Sequence, residues 1–246
     1  MSDWRKDAKY APLDLSVEAP ELEKFKQALS VDDDKRNFEI GMKIMREAGP
    51  IAGTLGAKYL GCRGIPEKYH GDVLLFHPSI KHAPTQSYHP AIIAPYTDAI
   101  TGKIKGIHRT YLKADGSGKA DIDPPRMTLG SVKGAVVRLI DDAEITYGLG
   151  LAEGIESALS VMSMGWTPVW AALNAPNIAN FPVLPAVTLT IFADHDRPDK
   201  DGRRVGQDAA RACGERWAAA GREVFIKTPL IEGQDFNDVL KNKGQK

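Results

Sequence analysis

From residue 145 onward, strand-like and helix-like segments alternate, and this alternation constrains the fold more than any other feature. The apolar runs typical of strands are ITYGLGLAE, TPVWAAL, VTLTIFAD and REVFIKTP. Segments with helical spacing, IESALSVMSMG and GQDAARACGERWAAAG, lie between them, and DFNDVLKN follows as a short terminal helix. Strands that alternate with helices predict a parallel α/β sheet flanked by helices. Ligands bind such sheets beyond the carboxyl ends of the strands.

The preceding residues have a different pattern and predict a smaller α+β, β-rich subdomain. Helical spacing covers residues 36–48 and stops at Gly49-Pro50, and we expect a second helix over residues 51–60 that ends at Gly61. Short runs rich in Ile, Val, Tyr and Thr follow and predict four strands, DVLLFHP, PAIIAPYTD, IKGIHRTYL and GAVVRLI.

The first residues of the chain are polar and predict a loosely structured extension. They contain the acidic run Asp32–Asp34 and one short helix candidate over residues 19–29. The patterns together predict three regions: a polar extension over residues 1–35, the helical and β-rich subdomain over residues 36–143, and the parallel α/β domain over residues 144–242.

Composition narrows the classes of protein to which the chain can belong. The formal net charge is zero, so nucleic acid could be bound only through local basic patches. The two cysteines, Cys62 and Cys213, are far apart, which argues against a disulfide scaffold and fits a reducing cytoplasm. The polar N-terminus does not resemble a signal peptide, and no run approaches the roughly 20 apolar residues of a membrane helix. We therefore expect a cytoplasmic protein that does not contact a membrane.

Acidic residues follow three of the predicted parallel strands. Glu153 ends the first, Asp194 and Asp196 end another, and Asp235 and Asp238 come after the last. If these strands are neighbours, the carboxylates converge at one edge of the sheet, where they suit Mg²⁺ together with substrate phosphates. Each acid also has a purely structural explanation, such as a turn, an ion pair or, for Asp235, the N-cap of the last helix.

Several motifs, in order, resemble the Toprim domain of primases carried by phages, plasmids and integrated elements. They are GLGLAEGIESALS, PVWAALNAPN, TIFADHD, GQDAA and GQDFNDVL. The upstream segments YLGCRGI, LLFHP, IHRTYLKADGSGKA and RMTLG are similar to the region that precedes Toprim in those proteins. The resemblance covers about residues 45–242 and implies a Toprim-type parallel sheet.

The resemblance also implies roles for the acidic residues. Glu153 corresponds to the acid/base residue of the Toprim site, Asp194 and Asp196 to metal ligands, and Asp235 and Asp238 to the rest of the acidic cluster. The implied cofactor is Mg²⁺, for which Mn²⁺ can substitute. Some related primases carry an acid four residues after the Glu, where this chain has Ser157.

Basic and aromatic residues ahead of and within the domain are candidates for contacts with nucleic acid or nucleotide phosphates. Arg109 and Lys119 match the motif HRTYLKADGSGKA, and Tyr111 beside them could stack on a base. The alternative is an ordinary solvated face of a β-sheet. The full set of candidates is Arg63, Arg109, Tyr111, Lys119, Arg126 and Arg203.

Three functions are compatible with this sequence. The first is a primase-type nucleotidyltransferase that makes short primers from nucleoside triphosphates on a single-stranded DNA template. The second is a metal-dependent Toprim nuclease, and the third is a non-catalytic DNA-binding component of a replication complex. The sequence shows no cysteine-rich ribbon and no GxxxxGK[ST] loop, so we expect either a stand-alone Toprim protein or one that works beside separate zinc-ribbon and helicase subunits.

Overall fold

The computed structural model describes residues 19–185 and 187–243, and ten strands in this part of the chain form one mixed sheet. The strands are β1 (Gly49–Pro50), β2 (Leu75–His82), β3 (Ser87–Asp98), β4 (Ile104–Tyr111), β5 (Arg126–Gly130), β6 (Ala135–Arg138), β7 (Gly148–Ala152), β8 (Val169–Ala171), β9 (Thr188–Phe192) and β10 (Val224–Lys227). They are arranged in the order β1-β2-β3-β6-β8-β7-β9-β10, and β4 and β5 branch from β3.

Helices cover the sheet and connect its strands. They are α1 (Ala19–Glu47), α2 (Leu55–Cys62), α3 (Ile155–Ser163), α4 (Ala175–Ala179), α5 (Val205–Ala219) and α6 (Phe236–Lys243). Short 3₁₀ turns lie at Glu67–Tyr69 and Asp142–Glu144. Among the residues that the structure describes, no helix is both long enough and apolar enough to cross a membrane.

The parallel part of the sheet confirms the predicted α/β architecture. Strands β8, β7, β9 and β10 run parallel, and Ala152 at the end of β7 lies opposite both Ala171 and Phe192. The strands therefore end at one common edge. Gly150 is required in β7, because a Cβ there would lie 2.9 Å from the Val169 side chain. β7 and β9 are buried along most of their length, as expected for strands with helices on both faces.

The N-terminal part is the predicted β-rich unit, built from antiparallel pairs. β3 pairs with β2 and β4, and β4 pairs with β5. Strand β6 is antiparallel to both β3 and β8, so it joins this unit to the parallel strands. The Asn177 side chain supports that junction: it accepts a hydrogen bond from Gly134 and donates to the backbone oxygens of Val132, Ala135 and Ala172.

Several elements differ from the sequence-based expectation. α1 is one helix from Ala19 to Glu47, so it runs through Asp32–Asp34 and across residue 35, where loose chain was expected. The penalty for Asp in a helix is a fraction of a kcal/mol, about 0.7 at most, and good helix formers surround this run. Strand β5 and the short helix α4 were not predicted, because neither is long enough to show a clear hydrophobic period.

Candidate functional site

A cavity of about 740 Å³ lies between the carboxyl edge of the parallel strands and the β4–β5 pair. Its acidic lining consists of Glu153, Glu156, Asp194, Asp196, Asp199 and Asp235, and its basic lining consists of Lys119, Arg126, Arg197 and Arg203. The structure thus brings four of the five predicted acidic site residues and three of the six predicted nucleic-acid contacts to one place.

The two strand ends position the central acids. Glu153 follows β7 directly, and Asp194 and Asp196 follow β9. The backbone N–H of Gly206, in the first turn of α5, donates a 3.0 Å hydrogen bond to the Asp196 carboxylate. A Cβ on Gly206 would lie 2.8 Å from the same oxygen, so a side chain there would displace the Asp196 carboxylate.

Asp194 carries the strongest electrostatic perturbation among the acids of the cavity. Burial, followed by the repulsion of Asp235 and Glu153, raises its pKa to about 7, although the Phe236 N–H donates a hydrogen bond to it. Burial and the neighbouring Asp196 also raise the pKa of Glu153, and Arg126 opposes that rise. These carboxylates therefore lack enough positive charge around them.

Asp235 and Asp238 form a reciprocal cap at the start of α6. The Asp238 N–H donates to the Asp235 carboxylate at 2.8 Å, and the Asp235 N–H donates to the Asp238 carboxylate at 3.2 Å. The structural alternative for Asp235, an N-cap, is thus confirmed, and Asp235 still lines the cavity. Asp238 contacts Asp235 through this cap but does not itself line the cavity.

The donor set at this edge fits a divalent cation such as Mg²⁺. All the groups are carboxylate oxygens, which Mg²⁺ prefers, and the raised pKa of Asp194 reflects its burial and then a repulsion from Asp235 and Glu153 that a cation would relieve. Within residues 19–185 and 187–243, no three His, Cys, Asp or Glu side chains already surround one point as a metal site requires. Water molecules and substrate phosphates would therefore have to complete the coordination shell, as is usual for Mg²⁺.

Glu156 is held by two cations. Lys119 Nζ lies 2.8 Å from one of its oxygens, and Arg63 Nε lies 3.1 Å from the other. Burial favours the neutral acid, but these neighbours keep the pKa of Glu156 below its ordinary value. Glu156 is therefore an ionised partner of Lys119 and Arg63. Arg63 does not itself line the cavity, and its other acidic neighbour, Asp235, is 3.9 Å away.

The predictions for Arg109 and Tyr111 as nucleic-acid contacts are wrong. Tyr111 is fully buried, and Arg109 is 4% exposed. Arg109 donates to the Tyr111 hydroxyl at 2.8 Å and to the Thr128 carbonyl, and that hydroxyl donates to the carbonyl oxygen of Lys81. Because side chains alternate along a strand, these two residues share the face of β4 that packs beneath α1.

The opposite face of β4 provides residues that sequence reasoning missed. His108 and Thr110, together with Thr128 of β5, line the cavity beside Arg126, which the sequence did predict. The alternation of β4 was the available signal, but both faces carry polar residues, so it could not identify the face toward the cavity. Arg203 also lines the cavity, and its guanidinium is paired with Asp199 and Asp201.

Comparisons with known proteins agree with this geometry. Residues 148–246 match the family model of the Toprim domain, and residues 35–139 match a domain of unknown function, DUF7146. No curated protein sequence matches the chain. The chain therefore carries a Toprim domain, as its motifs implied.

Similar solved structures extend the comparison to most of the chain. A DnaG catalytic core is 16% identical with a TM-score of 0.55, and the match covers 84% of this chain and 74% of that one. A DnaG primase catalytic domain bound to ssDNA is 17% identical with a TM-score of 0.53, covering 89% and 78%. The RNA polymerase domain of Mycobacterium tuberculosis primase DnaG is 13% identical with a TM-score of 0.52, covering 85% and 78%. The fold is that of a Toprim primase catalytic core.

Proposed function

We propose that this protein is the catalytic core of a Mg²⁺-dependent primase, a nucleotidyltransferase that makes short oligonucleotides on single-stranded DNA during replication of a phage or mobile element. The observation that carries the proposal is the shared cavity, in which Glu153, Asp194, Asp196 and Asp235 face Lys119 and Arg126. Acids that hold a metal and cations that hold phosphates are both needed to join nucleotides.

Each side chain has a role that follows from its surroundings. Asp194, Asp196 and Asp235 would hold the metal, which supplies charge neutralisation for the phosphates when it is bound. Glu153, whose pKa is raised by burial and by Asp196, is suited to accept the proton of an attacking 3′-hydroxyl. Lys119, Arg126 and Arg203 would orient the triphosphate, and positioning of this kind supplies much of the catalysis.

The groove between β4–β5 and the parallel strands would hold the template. One wall comes from residues 104–130 and the other from strand ends between residues 148 and 227, and the cavity lies between them. The whole chain gives a formal charge of zero, so local cations would have to supply the affinity for phosphates.

A primer synthesis assay tests the proposal. The full chain is incubated with single-stranded DNA, labelled nucleoside triphosphates and Mg²⁺, with and without zinc-ribbon and helicase subunits. We expect short oligonucleotides from the wild type, none from Glu153→Gln or Asp194→Asn, and wild-type amounts from Asp72→Asn, an exposed control outside the cavity.

Two results would contradict this proposal and favour the alternatives. Mg²⁺-dependent nicking of DNA that disappears in Asp194→Asn, without any synthesis, would identify a nuclease. Absence of both activities, together with no stabilisation by millimolar Mg²⁺, would favour a non-catalytic DNA-binding component, because a ligand that binds only the folded state must stabilise it.

A further inference from the structure

One wall of the cavity carries mainly uncharged hydrogen-bonding groups. β4 and β5 are antiparallel, and their register places His108 opposite Thr128 and Thr110 opposite Arg126. All four side chains line the cavity. We call His108, Thr110 and Thr128 the neutral strip. It contrasts with the acids at the ends of β7 and β9 and with Lys119 beside it.

The imidazole of His108 has an unused hydrogen-bonding atom. Its Nδ1 is buried and has no hydrogen-bond partner within the part of the chain that the structure describes. A buried polar atom without a partner is unfavourable and rare in folded proteins. His108 itself lines the cavity, so a rotation of the ring toward the cavity would bring this atom to a ligand group.

The surroundings of His108 exclude a role as a phosphate-binding cation. Burial, followed by the positive charge of Arg126, holds its pKa far below the ordinary range, although Glu156 opposes the shift. The ring is therefore neutral at physiological pH and offers one donor and one acceptor. Phosphates have Lys119 and Arg126 nearby, so an uncharged part of the ligand is the better partner for this ring.

We propose that His108 and Thr128 contact the nucleoside part of a nucleotide, through a sugar hydroxyl or the edge of the base, while Lys119 and Arg126 contact its phosphates. The inference rests on the proposed function, because it assigns the same cavity to a nucleotide. It adds a specificity element to that cavity, because His108 would contact the nucleoside and would therefore favour a nucleotide over a polyphosphate without one.

Isothermal titration of the full chain with three probes tests this assignment. The probes are ATP, dATP and inorganic tripolyphosphate, each with Mg²⁺. His108→Phe keeps a ring of similar size but removes both nitrogens, whereas His108→Gln restores a donor and an acceptor. His77→Phe is the matched control, because His77 lies on β2 and does not line the cavity.

We expect His108→Phe to weaken ATP about 5- to 15-fold, the effect of about one lost hydrogen bond. His108→Gln should recover most of that loss, His77→Phe should bind like the wild type, and tripolyphosphate should bind equally to all variants. If the substitution weakens the binding of ATP but not that of dATP, the contact is to the 2′-hydroxyl. If it weakens the binding of both equally, the contact is to another sugar hydroxyl or to the base.

The assignment is overturned if His108→Phe binds ATP as the wild type does, or if the substitution weakens tripolyphosphate binding as much as ATP binding. It is also overturned if the wild type binds no ATP. Thr128→Val repeats the test if His108→Phe does not fold, because Thr128 is exposed and its replacement is nearly isosteric. Primer synthesis is measured separately, so a chain that binds ATP through His108 but makes no primer contradicts only the proposed function.

Discussion

The unpaired charge of Asp194 predicts that its neutralisation makes the metal-free protein more stable. A pKa raised from 3.8 to about 7 corresponds to about 4 kcal/mol of unfavourable free energy when the carboxylate is ionised. Because Asp194 is half-buried, water and small shifts of its neighbours screen part of this repulsion. We therefore expect Asp194→Asn to stabilise the fold by about 2–4 kcal/mol at pH 8 in the presence of EDTA.

The pH dependence of this effect has a defined sign. Below the ordinary pKa of 3.8, the carboxyl is protonated in both the folded and the unfolded state, so the substitution changes little. As the pH rises toward about 7, only the unfolded state loses the proton, and the wild type loses stability relative to the variant. Above about 7 the difference is constant and at its largest.

Thermal unfolding in EDTA at pH 4 and pH 8 measures the effect. For a chain of this size, 2–4 kcal/mol corresponds to a rise in Tm of about 5–15 °C at pH 8. Addition of Mg²⁺ should then raise the Tm of the wild type and leave that of Asp194→Asn nearly unchanged. A variant that is equal to or less stable than the wild type at pH 8 would refute the reasoning, because it would mean that the carboxylate is not under repulsion.

Three further substitutions test other contacts. Tyr111→Phe should lower the free energy of unfolding in urea by about 1–2 kcal/mol, because Arg109 and Lys81 lose their shared partner, and it should leave ATP affinity unchanged. Glu156→Gln should destabilise the fold by about 1–3 kcal/mol at pH 7, and in urea titrations this difference should shrink as the pH falls below about 4.5, where the unfolded state binds the proton before the folded state does. Asn177→Ala should lower the free energy of unfolding by about 2–4 kcal/mol, because four backbone groups lose a partner; a loss under 1 kcal/mol would contradict this.

The acidic half of the site could be predicted because it depends on strand ends. A strand that runs into Asp194 and Asp196, and another that runs into Glu153, place their carboxylates at one edge whatever the details of packing. The capping role of Asp235 was also visible, since an Asp just before a short helix is a common N-cap.

The other wall of the cavity could not be predicted in the same way. The family resemblance indicates Arg109, and the aromatic ring indicates Tyr111, but a shift of one residue along β4 exchanges the buried face for the cavity face. α1 covers one face of β4 and the cavity opens on the other, and both faces carry polar residues. The Lys119–Glu156 pair joins residues 37 positions apart in different elements, and no local pattern encodes such a contact.

Strand β6 has a consequence for how this protein can be divided. Strand β6 ends at Arg138, and the family match over residues 35–139 ends one residue later. The Toprim match begins at residue 148. Nevertheless, β6 supplies the hydrogen-bonding neighbour of β8, with Val137 opposite Ala171. A fragment that starts at residue 148 would leave that side of β8 without its partner, and bare strand edges promote self-association. The border between the two matched segments is therefore not a boundary between independently folding units, and we expect the two segments to be inherited and expressed as one chain.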